Sequence, residues 1–385
     1  MSQPISESVL ATLPAHGGVP DPALLERIRG RAERYDRENS FFTEDLDELR
    51  AAGYLRPRPL LHVVRDQRLL AAHAPATALG LNMHLVWVGV ARVLASRGDQ
   101  SLQWVSDEAE AGELFAFGNS EPGNDLVLWD SLTTATAADH GGFAFTGTKI
   151  FTSLSPAWTR LGIFGKQQDG PDGPRLVHGF LTRDAPGWRS LDDWDTLGMR
   201  ATQSHTTVLD DAVVAADRVT RFLPVGPNAD PFVFGIFANF LLSIAAVYAG
   251  IADRALELAV EAAHRRTSLR TGAAYAADPD IRWQVADIVL SVDALRPELE
   301  TLAADVDSVH DHGAHWFRYL TGAKHRATET ARRAVDRAAR VSGGGGYRNS
   351  AELARLQRDV LAGTFHPSDT ESIHSTVAAN LLGPA

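Results

Sequence analysis

Three textures of apolar and polar positions succeed one another along this chain. Through residue 112 the apolar positions recur at helical spacing. Asp21-Pro22 opens the first stretch, with the proline in the first turn and Leu24, Leu25 and Ile28 behind it. Phe42, Leu46, Leu49 and Leu55 mark a second helix over 41–55, stopped by Gly53. An Ala- and Leu-rich run over 65–97 reads as further helix, and 104–112 as a short helix leading out. From Glu113 to about Val225 the pattern becomes short and alternating, punctuated by Gly, Asp and Pro. Residues 132–137 and 143–151 flank the turn Asp139-His140-Gly141-Gly142 as a hairpin. Segments 161–164 and 176–182 flank a Gly- and Pro-rich loop, and 205–209 with 213–214 follow. From Pro231 the helical period returns: one long helix to about Arg266, a polar loop over 267–279, a helix over 281–305 kinked near Pro297, another over 309–341, and a C-terminal segment. The pattern predicts an α+β chain with an N-terminal α-helical domain (1–112), a central β-barrel or sandwich domain (113–228) and a C-terminal four-helix bundle (229–385).

Within the last region, Val233–Ala252 is a 20-residue stretch without a charge, long enough to span a bilayer. It carries Asn239, Ser243 and two glycines, and runs without a break into the amphipathic segment 253–266. This predicts a helix buried on most sides, at the centre of a bundle or at a subunit interface, and no membrane. A length of 385 residues with 44% hydrophobic and 22% charged residues allows a large core in two or three domains. The net charge of -11 speaks against a nucleic-acid surface. The absence of cysteine excludes disulfides, thiolate metal sites and a cysteine nucleophile, and fits a cytoplasmic location. Residues 1–20 lack the basic start and apolar stretch of a signal peptide. His310, His312 and His315 form the densest histidine group, but Gly313 weakens the helix there and no second ligand pair stands at zinc-motif spacing, so no metal is expected.

Four pieces could carry chemistry. Phe117-Gly118-Asn119-Ser120-Glu121-Pro122-Gly123 reads as a strand ending in a Pro-Gly turn, which presents main-chain groups and a hydroxyl to the edge of a planar ligand. In Thr148-Lys149-Ile150-Phe151-Thr152-Ser153, alternation puts Phe151 and Ser153 on one face and Thr152 on the other. Leu197-Gly198-Met199-Arg200 reads as a turn with glycine at a positive φ. Val341-Ser342-Gly343-Gly344-Gly345-Gly346-Tyr347 ends a long helix and lets backbone N–H groups approach something flat and anionic; Arg358-Asp359 closes the set.

In this order and spacing, the four pieces resemble the acyl-CoA dehydrogenase family of FAD flavoproteins, over about Leu24 to Leu382. The resemblance implies an FAD-dependent oxidoreductase acting on the CH–CH group of an acyl thioester, with Phe117, Asn119, Ser120 and Phe151 along the flavin and the Ser153 hydroxyl near its N5. It further implies that an arginine of the loop 265–270, here taken as Arg270, meets the cofactor pyrophosphate, and that Gly343 and Gly344 close over the cofactor across a subunit interface of a homotetramer or dimer. An electron-transfer flavoprotein would be the redox partner.

The family's base is missing at both of its usual places. Counting from Asp359, His366 stands where the tyrosine of the family's Tyr-Glu-Gly-Thr element would be, and Pro367 or Ser368 where its glutamate would be. The alternative position on the long central helix reads Ala238-Asn239-Phe240-Leu241. The Gly/Ser stretch after Pro122-Gly123 is also short, which speaks against an ordinary acyl-CoA. Two readings remain. Asp369 or Glu371 is a displaced base; or the chain resembles the two-component flavin monooxygenases of the same fold. In the second reading His366 and Ser153 serve a C4a-hydroperoxyflavin formed from O2, the cofactor is FAD or FMN, and a flavin reductase is the partner. His84 is a further, weaker candidate.

Overall fold

The computed structural model describes residues 20–126 and 128–383; apart from Pro20, the segment read above for a targeting signal lies outside them. Five helices come first: α1 (Pro22–Glu38), α2 (Thr43–Ala51), α3 (Leu60–His73), α4 (Pro75–Ala95) and α5 (Gln103–Glu110). Asp21 caps α1 by accepting the Leu24 N–H at 2.8 Å. The run 65–97 is two helices and not one. Proline disfavours helical backbone in the residue before it, and Ala74 accordingly leaves the helix at φ −146 before Pro75 opens α4.

Eight strands follow: β1 (Phe115–Gly118), β2 (Thr134–Ala137), β3 (Phe143–Thr152), β4 (Arg160–Gln167), β5 (Arg175–Thr182), β6 (Trp188–Ser190), β7 (His205–Val214) and β8 (Val219–Pro224). They run in the order β6-β7-β3-β2-β4-β5-β8, with β1 parallel to β4. The sequence pattern showed neither β6 nor β8, and split β7 in two. The split has a cause: Asp211 stands at φ 54 where the β3–β7 pairing is irregular. The sheet folds over on itself, so that a Cβ at Gly179 of β5 would lie 2.8 Å from Val214 of β7. His84 of α4 ties the helical layer to β1: its Nδ1 accepts the Phe115 N–H at 3.1 Å, and its Nε2 bonds the Leu55 carbonyl at 2.8 Å. Burial lowers its pKa to about 4, so it is a neutral packing residue.

The last six helices are α6 (Pro231–Arg265), α7 (Pro279–Val292), α8 (Leu295–Asp307), α9 (Trp316–Ser342), α10 (Glu352–Asp359) and α11 (Thr370–Leu382). The expected kink at Pro297 is instead a break between α7 and α8 at Asp293–Ala294; Pro297 sits in the first turn of α8, where its missing N–H costs nothing. The uncharged stretch of α6 packs against α3, α4 and α9. Both α4 and α6 are long and apolar enough to cross a bilayer, yet 83% of the most apolar stretch of each is buried inside the protein. Gly250 lets α3 approach: a Cβ there would stand 2.2 Å from the Arg68 carbonyl oxygen. Beside it Arg68 forks onto Asp253 at 2.5 and 2.6 Å. Ahead of α9, His312 bonds Asp305 at 2.8 Å. No group of three or more histidine, aspartate or glutamate side chains that could hold a metal ion occurs among the described residues.

Candidate functional site

The first two motifs meet. Beyond β1 and near the end of β3 the chain pairs once more, Ile150 donating its N–H to the Ser120 carbonyl at 2.9 Å. Beneath this junction Lys149 and Glu121 form a buried ion pair at 2.7 Å. Glu121 also accepts from Ser131 Oγ, Asn124 Nδ2 and the N–H groups of Leu132 and Thr133, which together with Lys149 hold its pKa down at about 2 against the opposing effect of burial. The Pro-Gly turn is thereby fixed to the sheet. Asn119, next to Ser120 in the chain, is fully buried, with neither its amide oxygen nor its amide nitrogen hydrogen-bonded. Phe117 packs between Trp87 and Phe240, with ring centroids at 5.1 and 5.7 Å.

The alternation expected through 151–153 does not hold. Phe151 adopts φ 57 and turns the chain, so its ring is 54% exposed while Ser153 is buried. Leu154, on the other side of Ser153, stands at φ 67. Non-glycine residues held in this region cost about 1–3 kcal/mol each and cluster at functional sites. Ser153 Oγ lies 2.8 Å from Ser204 Oγ, which lies 2.7 Å from Thr202 Oγ1, and Thr202 donates to the Met199 carbonyl at 2.9 Å. The Ser153 hydroxyl thus ends a short relay anchored on main chain. The Thr152 hydroxyl is buried without a partner.

The other two motifs are also joined to each other. Asp359 accepts the Met199 N–H at 2.6 Å, and Gly198 lies so close to the Arg358 carbonyl that a Cβ would stand 2.2 Å from its oxygen. Arg358 reaches Asp36 of α1 at 2.5 Å and the Leu197 carbonyl at 3.1 Å. Arg200 is spent on the Asp36 carbonyl and on Asp195. The turn expected on the cofactor side therefore joins the three layers, and only its Thr202 and Ser204 hydroxyls reach toward Ser153.

After α10 the chain makes a 3-10 turn, Val360–Thr364, that delivers His366. Tyr248 of α6, fully buried, places its hydroxyl 3.4 Å from His366 Nδ1. Lys324 of α9 spends its ammonium on the carbonyls of Gly363, His366 and Ser368 at 3.0, 3.0 and 2.9 Å. Burial and the neighbouring Lys324 charge push the His366 pKa down to about 3, so its imidazole is neutral. The two candidate displaced bases lack the setting their role demands. Asp369 caps α11 by accepting the Ser372 N–H at 2.8 Å, which lowers its pKa. Glu371 is exposed in the first turn of α11. No hydrogen bond joins His366 to Ser153 among the described residues. Lys324, Tyr248 and Asp359 had no assigned role in the sequence reading. For Lys324 a signal existed: it is a lysine on the stripe Leu320, Thr328, Ala331, where the other positions are buried.

The glycine run and the basic loop face each other in part. Arg266 donates to the Val341 carbonyl, and its guanidinium would stand 2.9 Å from a Cβ on Gly343, which is at φ 64. Arg270 is exposed, and a Cβ on Gly344 or Gly345 would meet no atom within 4 Å. A groove of about 940 Å³ runs between α7, α9 and the turn after α10, past Trp283, Arg332, Arg337 and Leu361; Ser153, Asn119 and His366 are not among its walls.

A helical layer, a folded-over sheet and a helical bundle meeting at such a strand junction define the class of acyl-CoA dehydrogenase-fold proteins. The family described as acyl-CoA dehydrogenase, C-terminal domain, matches residues 242–369. A putative acyl-CoA dehydrogenase, YdbM of Bacillus subtilis, is 26% identical over 92% of this chain and 94% of its own length. The L-evernosamine nitrososynthase of a Micromonospora species is 33% identical over 58% of this chain and 53% of its own length. Among solved structures, KijD3 in complex with FMN and dTDP-3-amino-2,3,6-trideoxy-4-keto-3-methyl-D-glucose superposes with a TM-score of 0.81 at 27% identity, covering 94% of this chain and 92% of that one. Residues 242–369 thus match that family's C-terminal domain, and the chain shares the acyl-CoA dehydrogenase fold over nearly its whole length.

Proposed function

We propose that this protein is a flavin-dependent monooxygenase that uses reduced flavin and dioxygen, in preference to a thioester dehydrogenase. The loop after α10 carries this reading. Abstraction of an α-proton from a thioester needs a carboxylate in an apolar pocket with a raised pKa. The loop offers instead a neutral histidine, with Asp369 committed to a helix cap and Glu371 in solvent. Position 239 of α6 holds an asparagine whose amide bonds the Gly235 carbonyl. The likeness to a nitrososynthase, and to a protein solved with FMN and an amino-sugar nucleotide, supports the same reading.

The residues present fit a flavin, FMN or FAD. A buried amide with both ends free at Asn119, a buried free hydroxyl at Thr152 and an outward-turned aromatic ring at Phe151 stand together at one strand junction. Asn119 and Ser120 would hold the ring edge, Phe151 would cover a face, and Gly344, Gly345 and Arg270 are free to close over the cofactor of a second copy. When bound, reduced flavin supplies the electron pair that divides dioxygen between the substrate and water. The chain's own groups do the rest. The Ser153 hydroxyl, held by Ser204 and Thr202, can donate or accept a proton without moving its oxygen. The neutral His366 can accept a proton, and the aromatic wall of Phe117, Phe240 and Trp87 keeps water away. A flavin reductase is the partner this requires.

Rapid mixing of the reduced, flavin-loaded protein with oxygen tests the proposal. Wild type should hold a transient distinct from oxidised and reduced flavin and release little hydrogen peroxide, while His366→Ala should leak peroxide. Bleaching of the oxidised flavin by acyl-CoA thioesters under anaerobic conditions would instead return the chain to the dehydrogenases.

A further inference from the structure

The loop that bears His366 is gripped by a side chain that the proposed reaction does not use. Lys324 is 2% exposed, and its ammonium has three N–H groups for three carbonyls, those of Gly363, His366 and Ser368. A buried ammonium costs free energy unless its donors are satisfied, and burial lowers its pKa to about 8. A cation at this place also meets the negative end of the short turn Val360–Thr364. The turn itself has no slack. A Cβ at Gly363 would stand 2.6 Å from Thr328 Cγ2 and 2.7 Å from Tyr248 Cζ. His366 is therefore held on two sides, its carbonyl by Lys324 and its ring by the Tyr248 hydroxyl.

We infer that Lys324 is a positioning residue for His366: by bonding the carbonyls of 363, 366 and 368 it fixes the loop so that the imidazole lies against Tyr248 and presents one defined edge to the site. This rests on the reading of His366 as a reacting group, but the geometry is independent of it. The charged and titratable groups around the ring are Tyr248 from α6, on which Asp359 of α10 acts, and Lys324 from α9, on which Asp369 at the head of α11 and Glu329 of α9 act.

The test uses the flavin-free full chain, labelled with carbon-13 histidine and titrated by NMR, with the His366 signal assigned by its loss in His366→Ala. In wild type the imidazole should stay neutral down to about pH 5. In Lys324→Met, which frees the loop to carry the imidazole toward solvent, its midpoint should rise toward the ordinary value of about 6.5. The flavin-loaded variant should lose about tenfold in coupled oxygenation, with flavin affinity within about twofold. Gly363→Ala, which displaces the same loop while leaving the lysine in place, should move the imidazole in the same direction and decides the matter if the lysine variant does not fold. An unchanged titration in whichever of these variants folds overturns the inference. If His366→Ala leaves coupling intact, the monooxygenase reading falls while the titration still decides the role of Lys324.

Discussion

The amide of Met199 donates to Asp359 Oδ1 across 2.6 Å, joining segments 160 residues apart and locking the β-domain onto the end of α10. The other carboxylate oxygen of Asp359 is buried without a partner. Burial outweighs the attraction of Arg355 and the Met199 bond, and the pKa of Asp359 rises to about 6. A carboxyl whose folded pKa is raised stabilises the fold below its unfolded pKa, near 3.8, and that contribution is lost as pH rises through 6. Asp359→Asn keeps the acceptor for Met199 and cannot ionise. Wild type should therefore lose stability relative to the variant as pH rises from about 4 to 6, the gap levelling off above that. Urea unfolding of both proteins across that range measures it; parallel curves would refute the argument.

Gly198 makes this contact possible. A Cβ there would collide with the Arg358 carbonyl and also lie 2.6 Å from the Asp359 nitrogen, and all three atoms are main chain. Gly198→Ala should cost about 3 kcal/mol or more, since neither segment can yield without breaking the Met199–Asp359 bond. A loss below about 1 kcal/mol in chemical denaturation would show that the junction is softer than its geometry implies.

The order helix, strand, helix was legible because periods of 3.6 and 2 are strong signals over long runs, as in α6 and β3. The strands that escaped, β6 and β8, are short, and β8 mixes polar and apolar residues on both faces (Val219, Thr220, Arg221, Phe222). The site motifs were legible as local chemistry, but their mutual contacts were not. Nothing local says that Leu197–Arg200 abuts Arg358-Asp359, that Ser153 faces Ser204, or that a lysine on the buried stripe of α9 grips a loop some forty residues on. Such pairings depend on how layers dock. The left-handed Phe151 shows the limit most clearly, because alternation assumes extended backbone and one positive φ inverts it.

The buried pair Lys149–Glu121 should respond unequally to removal of its partners. Without Lys149, the Glu121 carboxylate keeps four donors: Ser131 Oγ, Asn124 Nδ2 and two main-chain N–H groups. Without Glu121, the Lys149 ammonium keeps only the Phe164 carbonyl at 2.7 Å and the face of that ring, while the Leu132 N–H loses its acceptor and the Thr133 N–H keeps Ser131 Oγ at 3.2 Å. Glu121→Ala should therefore cost about 3–5 kcal/mol and Lys149→Met distinctly less. Equal losses in thermal unfolding would contradict this accounting.

His178 of β5 is an acid-sensitive point in the core. It stacks on Phe164 at 4.9 Å and meets Phe232 edge-on at 5.0 Å, and neither ring nitrogen has a partner. Burial, with Lys149 and Arg221 nearby, pushes its pKa down to about 3. A histidine depressed in the folded state contributes stability above its unfolded pKa of 6.5 and loses it as pH falls toward the folded value. His178→Phe removes the proton uptake on unfolding while keeping an aromatic between two phenylalanines. The variant should match wild type near pH 7 and gain on it by up to about 1.4 kcal/mol per pH unit below 6.5. If the difference stays flat with pH, His178 is not the buried neutral group described.

Asn119 offers the most direct check on the cofactor. A buried amide with both ends unpaired costs the fold about 1–3 kcal/mol, a cost that a ligand reaching it would relieve on binding. Asn119→Ala removes that cost from the free protein and the bonds from the complex together. The free protein should be unchanged or slightly stabilised, because the lost amide offsets the small cavity. Affinity for FMN or FAD, read from quenching of flavin fluorescence, should fall by about tenfold. Ser131→Ala, which loosens the same turn from beneath without touching the amide, should affect stability more than affinity. Flavin binding as tight in Asn119→Ala as in wild type would remove the amide from the cofactor site, and with it the strongest single mark that this strand junction is where the flavin lies.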